Sequence, residues 1–353
     1  MSSGAKISIV MPTLDSGQHV ARALESIAGQ TFKNSWPMEL IVVDSGSKDN
    51  TLQALRSFSA HQQGKMATII VNSPVASPSF QRNLGIESAS GDYIAFCDSD
   101  DCMKPDMLSA LHDAATTTNS DIAVCDFDMA YPERTIEGFS QLSNGYFQPA
   151  GSGICDYYYK FGAAPKPNNY VWSRLYRREF LLNTGLRFPD TRYSEDHLFN
   201  LSLLFKGPRI AHIGKSLYCY VQHNDSLTRK NVGKANHGQL FLDAFLCAAQ
   251  AINCQDKEIV EPILAIYAYT RIKSILFYAW LARLPEAETS AAIETFTSNE
   301  PARKSLAMCL HNNYIGHYCQ MHGLLGESEN ILRSMLNACI NNGKMPDMSR
   351  EFA

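Results

Sequence analysis

Five short apolar runs, each followed by a helix-length segment or a polar break, leave this chain few folds to choose from. Lys6–Met11 (KISIVM), Glu39–Val43 (ELIVV), Ala67–Val71 (ATIIV), Asp92–Cys97 (DYIAFC) and Asp121–Asp126 (DIAVCD) are five or six residues long. Their Val, Ile and aromatic content reads as strands buried on both faces. Between them Val20, Leu24 and Ile27 recur at helical spacing, and so do Leu52, Leu55 and Phe58. Asp49 or Asn50 can cap the second of these helices. A short helix with Phe80, Arg82, Asn83 and Leu84 follows the Asn72–Ser79 loop, and Pro105 suits the first turn of another. Strands alternating with helices imply an α/β fold with a mainly parallel sheet and right-handed crossovers.

The polar residues that close these runs are the first functional signal. Pro12-Thr13, Asp44 and Asp98-Ser99-Asp100-Asp101 all stand where a strand leaves the sheet, and ligands of open α/β sheets collect at the carboxyl ends of strands. Three carboxylates within four positions repel one another unless a cation or hydrogen-bond donors sit among them. Oxygen ligands favour Mg or Mn over zinc. Asp44 can accept hydrogen bonds from a base or ribose, the backbone at Pro12-Thr13 can pair with a base edge, and Arg82 can neutralise phosphate. Each has a plainer alternative: a solvated turn for Asp98–Asp101, a strand-end turn for Asp44, a surface or salt-bridged arginine for Arg82. The chain holds neither a P-loop nor a G-x-G-x-x-G fingerprint.

With 353 residues, 45% hydrophobic and 19% charged, the chain suggests a sizeable core in one large domain or two. A net charge of -4 gives no basic footprint for nucleic acid. Ten cysteines without a C-x-x-C pair read as reduced, mostly buried thiols of a cytosolic protein. The first residues lack the pattern of a signal peptide, and no stretch is long and apolar enough for a spanning helix. The expected location is cytoplasmic, possible contact with the inner face of a membrane included.

The run ISIVMPTLDSG, SIAGQTF, ELIVVDSGSKDNT, QRNLGIESASGDYIAFCDSDD and KPDML resembles glycosyltransferase family 2, whose nucleotide-sugar-binding fold is called GT-A. Order and spacing agree over about the first 115 residues. The resemblance implies a nucleotide-diphosphate sugar donor, most often a UDP-sugar, and a divalent cation, Mg or Mn, at the D-x-D. It sets Pro12 and Thr13 beside the base, which Asp44 would hold. Arg82 would approach ribose or phosphate, Asp98 the ribose or metal, and Asp100 would ligate the metal. The chain departs from the family pattern at three places: Ser45 follows Asp44 where a second acid is common, Leu14-Asp15 replaces Tyr-Asn, and Ser73–Ser79 replaces a Gly-rich loop.

Further on, residues 127–168 are irregular and rich in Gly, Pro, Tyr and Phe, which suits a variable connection shaping a pocket. Val171–Phe180 resembles the family's W-x-K-L-Y-R-R stretch, with Arg174 at the usual Lys; read by spacing alone it is an amphipathic segment packing Trp172, Leu175 and Phe180. In Tyr193–Phe199 the residues Leu198, Phe199, Leu201 and Leu204 mark a helix, with Ser194 a plausible N-cap. Glu195 and Asp196 then lie in its first turn, where acids also suit the helix dipole. The resemblance makes Asp196 the catalytic base and Glu195 a supporting or acceptor-binding residue. Gln222–Arg229 resembles the family's H-N-D-S-L-T-R; His223 would complete the metal shell or touch the diphosphate, and Arg229 would lie along the pyrophosphate.

The catalytic domain is expected over residues 1–234, and a helical region over 235–353. Within the latter, residues 263–284 are strongly apolar yet interrupted by Arg271 and Lys273. That reads as the core helix of a small bundle, or as an interface with a partner subunit or a membrane surface carrying a lipid-linked acceptor. The expected activity is inverting transfer of a sugar to a hydroxyl of a glycan or glycolipid. A nucleotidyltransferase and a non-catalytic nucleotide-sugar-binding or scaffold protein are the alternatives.

Overall fold

The computed structural model describes residues 5–31, 37–62, 66–191, 193–223, 237–253, 256–324 and 326–342. These residues form two compact units that interleave along the chain. One comprises Met1–Pro149, Asn168–Asp190 and Lys206–His223; the other comprises Ala150–Pro167, Thr191–Phe205 and Asn224–Ala353. The domain boundary expected at residue 234 lies outside the described residues.

The first unit is built on one sheet. Its strands are β1 (Ile7–Thr13), β2 (Met38–Asp44), β3 (Ala67–Asn72), β4 (Tyr93–Phe96), β5 (Cys102–Met103), β6 (Ile122–Ala130), β7 (Thr135–Ile136), β8 (Gly145–Phe147), β9 (Arg174–Arg177) and β10 (Ile210–Val221). Their order is β3-β2-β1-β4-β9-β6-β10-β5, with β7 on β6 and β8 on β10. The pairs β3/β2, β2/β1, β1/β4 and β6/β10 are parallel. Strands β1, β2 and β4 are inaccessible on both faces, so their sequences read as unbroken apolar runs, whereas edge strand β3 alternates.

Helices α1 (Val20–Ala28), α2 (Thr51–His61), α3 (Pro78–Ser88) and α4 (Met107–Thr117) fill the crossovers. Ser77 caps α3, accepting from the Phe80 N–H, and Pro78 occupies its first turn. Gly85 lets α3 lie against β1: a Cβ there would stand 2.2 Å from Val10 Cγ1. That close approach sets the height of Gln81 and Arg82 above the strand ends. Pro105 does not enter α4. It precedes the capping position at Asp106, one residue outside the helix.

The largest departure from the sequence pattern is β9. The Val171–Phe180 run is not one amphipathic segment. Arg174–Arg177 is a strand antiparallel to both β4 and β6, in the middle of the sheet, and Arg178–Thr184 is a short helix, α5 counted within this unit. Four residues with neighbours on both sides carry too little periodicity to mark themselves. Arg174 is buried within β9 and donates to the backbone carbonyls of Asn168 (2.6 Å) and Tyr170 (3.1 Å). Trp172 stacks between Tyr170 and Tyr218, with ring centroids 4.5 and 4.2 Å away.

At the opposite end of the strands from the acidic turn, Glu39 holds β1, β2 and the entry to β4 together. It accepts from Lys6 Nζ (2.6 Å), Ser8 Oγ (2.6 Å) and the Ser90 N–H (2.7 Å). Burial by itself raises its pKa, but these bonds outweigh burial and bring it from 4.5 down to about 2. The folded value lies below the unfolded one, so the stabilisation is complete above pH 4.5 and is lost as pH falls toward 2. Glu39→Gln is therefore expected to flatten the acid limb of the stability curve across that window, as read by urea unfolding at stepped pH. An acid limb as steep as the wild type's would assign the effect to another carboxylate.

The second unit is helical. It contains Gly153–Tyr157, running into a π-turn at Tyr158–Gly162, then Glu195–Leu204, called α6, and among the described residues six further helices. These are α7 (His237–Ile252), α8 (Lys257–Leu281), α9 (Glu286–Thr297), α10 (Glu300–His311), α11 (Tyr314–Met321) and α12 (Glu327–Asn342). The apolar run at 263–284 lies mostly in α8, whose Ile263, Ile266, Tyr267, Ile272, Ile275 and Leu276 are buried against its neighbours α7, α9 and α10. This is the core helix that its pattern implies. No helix among the described residues is long and apolar enough to cross a membrane.

Candidate functional site

The sheet unit gathers its polar strand ends along one edge. Gln81, buried on α3, donates through Nε2 to the carbonyls of Thr13 (2.8 Å) and Val43 (2.6 Å) and so ties the ends of β1 and β2. The Ser45 N–H also donates to the Thr13 carbonyl. Pro12 and Thr13 are the last residues of β1, and Thr13 Oγ1 is buried with no partner among the described residues. Asp44 is buried and closes its own turn: its carboxylate accepts from the N–H groups of Gly46 (2.8 Å) and Ser47 (3.0 Å) and from Ser47 Oγ (2.5 Å). That is the geometry of a strand-end turn, and it holds the carboxylate in one orientation.

The acidic turn after β4 is fixed from several directions. Arg82, 3% exposed, pairs with Asp98 Oδ1 at 2.9 Å and lies over the Phe188 ring. It is a buried, ion-paired residue rather than a surface cation. Ser99 Oγ meets Ser16 Oγ at 2.8 Å. The Asp98 N–H donates to the Tyr218 hydroxyl, which donates to Asp101 Oδ2 (2.9 Å), while the Val221 N–H donates to Asp101 Oδ1 (2.8 Å). Asp101 is inaccessible; burial, and then the charges of Asp100 and Asp98, push its pKa well above the ordinary carboxylate range. Trp172 backs the Tyr218 ring, so the core of the sheet determines where this turn sits.

Asp100 faces outward from that anchorage. Its Oδ2 lies 2.7 Å from His223 Nε2, and its carbonyl accepts from Arg22 Nη2 at 2.7 Å. The His223 ring packs on His19, and its Nδ1 is buried with no partner among the described residues. The sheet thus brings together Asp100 and His223, residues 123 positions apart. Among the described residues no three His, Cys, Asp or Glu side chains are grouped so as to hold a metal ion. The Asp100 carboxylate fits a cation that keeps water and draws oxygens from a bound phosphate, the usual habit of Mg, whereas the His223 imidazole nitrogen is more at home on a transition metal.

In the helical unit Glu195 and Asp196 occupy the first turn of α6, half-buried, followed by the buried Leu198, Phe199, Leu201 and Leu204. Ser194 stands at the capping position but does not cap. Its backbone is left-handed (φ 64°), and its hydroxyl accepts from Arg271 Nη1 at 2.6 Å. Arg229 lies outside the described residues.

Sequence reasoning passed over Gln81, Arg22 and Tyr218. Gln81 alone had a signal, since it directly precedes Arg82 in a quoted motif. Arg22 and Tyr218 act through contacts 78 and 117 residues away, which no local pattern announces.

A family model described as glycosyl transferase family 2 matches residues 8–184, half of the chain. Over 230 residues the chain is 26% identical to the uncharacterized glycosyltransferase YibD of Escherichia coli (strain K12), covering 65% of each. Over 277 residues it is 26% identical to the minor teichoic acid biosynthesis protein GgaA of Bacillus subtilis (strain 168), covering 76% of this chain and 59% of that one. The matched region thus spans less than two thirds of either relative. Among solved structures, S. aureus TarS 1-349 in complex with UDP-GlcNAc superposes with a TM-score of 0.68 over 94% of this chain and 91% of that one, at 18% identity, a likeness of fold. With its mainly parallel sheet, its acidic turn at the end of β4 and a family match over half its length, the chain belongs to glycosyltransferase family 2 and has the GT-A fold.

Proposed function

We propose that this chain transfers a sugar from a nucleotide-diphosphate donor, a UDP-sugar, to a hydroxyl of a glycan or glycolipid, with inversion at the anomeric carbon. The observation that carries the reading is the pairing of Asp100 with His223 beside the Asp98–Arg82 ion pair at the strand ends of a family 2 chain. The fold likeness to a protein solved with UDP-GlcNAc favours uridine as the base, and the relation to GgaA favours a surface polysaccharide as the acceptor.

In this reading Pro12, Thr13 and Asp44, at the ends of β1 and β2, receive the base. Asp98, aligned by Arg82, takes the ribose. Asp100 and His223 would hold a Mg or Mn ion, which when bound would neutralise the leaving diphosphate. Arg82 adds positive charge at the same edge, and Arg229 is assigned to the pyrophosphate. Asp196 removes the acceptor proton as the hydroxyl oxygen bonds to the anomeric carbon and the bond to the diphosphate breaks. No covalent intermediate is needed. Glu195 supports the base or binds the acceptor. The proposal carries a cytoplasmic location, with the helical unit meeting a partner subunit or the membrane surface that presents a lipid-linked acceptor.

The test is thermal stability against UDP, GDP, CDP and dTDP, each with and without Mn. A ligand that binds only the folded protein raises Tm by mass action, by about 2.7 kcal/mol of stability at a hundredfold excess over Kd. UDP with Mn is expected to give the largest rise. A larger rise with another diphosphate would reassign the base, and no rise with any of them would favour the scaffold alternative.

A further inference from the structure

The apolar helix α8 carries a cation where its pattern calls for a core residue. Arg271 is 6% exposed. Its guanidinium lies over the rings of Tyr267 (4.7 Å) and Phe241 (5.9 Å), and its Nε has no hydrogen-bond partner among the described residues. Burying a charge in this way is costly unless something specific offsets it. Among the described residues the hydrogen bond of this guanidinium runs from Nη1 to Ser194 Oγ, at 2.6 Å. Ser194 in turn is left-handed, a conformation disfavoured for a residue with a Cβ. Its carbonyl accepts the Leu198 N–H and so opens α6.

Taken together, these observations make Ser194 the joint at which the chain enters α6, and Arg271 the part that holds it. We infer that Arg271 is a positioning residue: by fixing the Ser194 hydroxyl it selects the left-handed entry that sets the direction of Glu195 and Asp196. The aromatic rings hold the guanidinium by cation–π attraction, with Nη1 directed at the serine. The catalytic meaning of this inference rests on the role proposed above for Asp196; the geometric part does not.

The test uses the full chain with Arg271→Met, Arg271→Lys and Ser194→Ala. Methionine is of similar length, and replacing a buried charge by an apolar side chain of similar size is often neutral for stability. Hydrogen exchange at the amides of residues 196–199 is expected to rise at least tenfold in Arg271→Met and in Ser194→Ala, with α8 itself unchanged. Turnover, read as UDP released from UDP-GlcNAc, is expected to show kcat lowered about tenfold with KM for the donor within twofold of wild type. Arg271→Lys keeps the charge and a donor and should recover part of kcat. The double variant should be no worse than either single change, because both remove the same bond. Unchanged exchange at 196–199 in Arg271→Met would overturn the inference whatever the turnover. If exchange rises but Asp196→Asn turns over like wild type, the positioning stands and the assignment of the base falls instead.

Discussion

Asp196→Asn is expected to lower sugar transfer by about 10²–10⁴-fold, the usual contribution of a general base, while UDP affinity stays within about twofold. Asparagine has the same shape and keeps an acceptor oxygen, but it cannot take a proton at neutral pH. The side chain sits in the first turn of α6, half-buried, above a face of buried Leu198, Phe199 and Leu201. The lost helix-dipole contribution of one acid costs about 0.3–1 kcal/mol of stability. The measurement is initial-rate transfer from a UDP-sugar alongside UDP binding by titration calorimetry. Glu195→Gln serves as the companion: a base role for Asp196 requires that the Glu195 change cost less. Wild-type rates in Asp196→Asn would remove it from the reaction, and a collapse of UDP affinity would make its role one of structure or donor binding.

How much of this was open to a reader of the sequence depends on how local the cause is. Strands β1, β2 and β4 announce themselves because burial on both faces demands continuous apolar residues. Helix α6 is visible because Leu198, Phe199, Leu201 and Leu204 line its buried side. Strand β9 is not, since its four residues take their conformation from β4 and β6 on either side. The same division runs through the candidate site. The acidic turn could be found from Asp98–Asp101 alone, but the reason it stands still could not. That reason lies in the Tyr218 hydroxyl between the Asp98 N–H and Asp101, and in Trp172 behind the tyrosine ring. Arg271 is the inverse case. A charge within an apolar run is plain in the sequence, but only the fold shows that it reaches Ser194.

That anchorage is what makes Asp100→Ala informative. The substitution is expected to remove the Mn-dependent part of UDP binding, a loss of tenfold or more in apparent affinity, equal to about 1.4 kcal/mol per factor of ten. It should leave metal-free UDP binding unchanged. The turn is held by Asp101, by the serine pair Ser16–Ser99, and by Arg22 acting on the Asp100 backbone carbonyl. None of these contacts uses the Asp100 side chain, so alanine takes away the carboxylate and leaves the loop in place. The position therefore separates metal binding from folding in a way that Asp101 cannot, because Asp101→Ala would strand the Val221 N–H and the Tyr218 hydroxyl in the interior. His223→Ala should shift the Mn response in the same direction, since its Nε2 shares the Asp100 carboxylate. Wild-type protein in EDTA should match Asp100→Ala. If instead the variant keeps the full Mn increment in Tm, the cation is held by other residues, and the Asp100–His223 pair is an ordinary carboxylate–imidazole contact at the edge of the sheet.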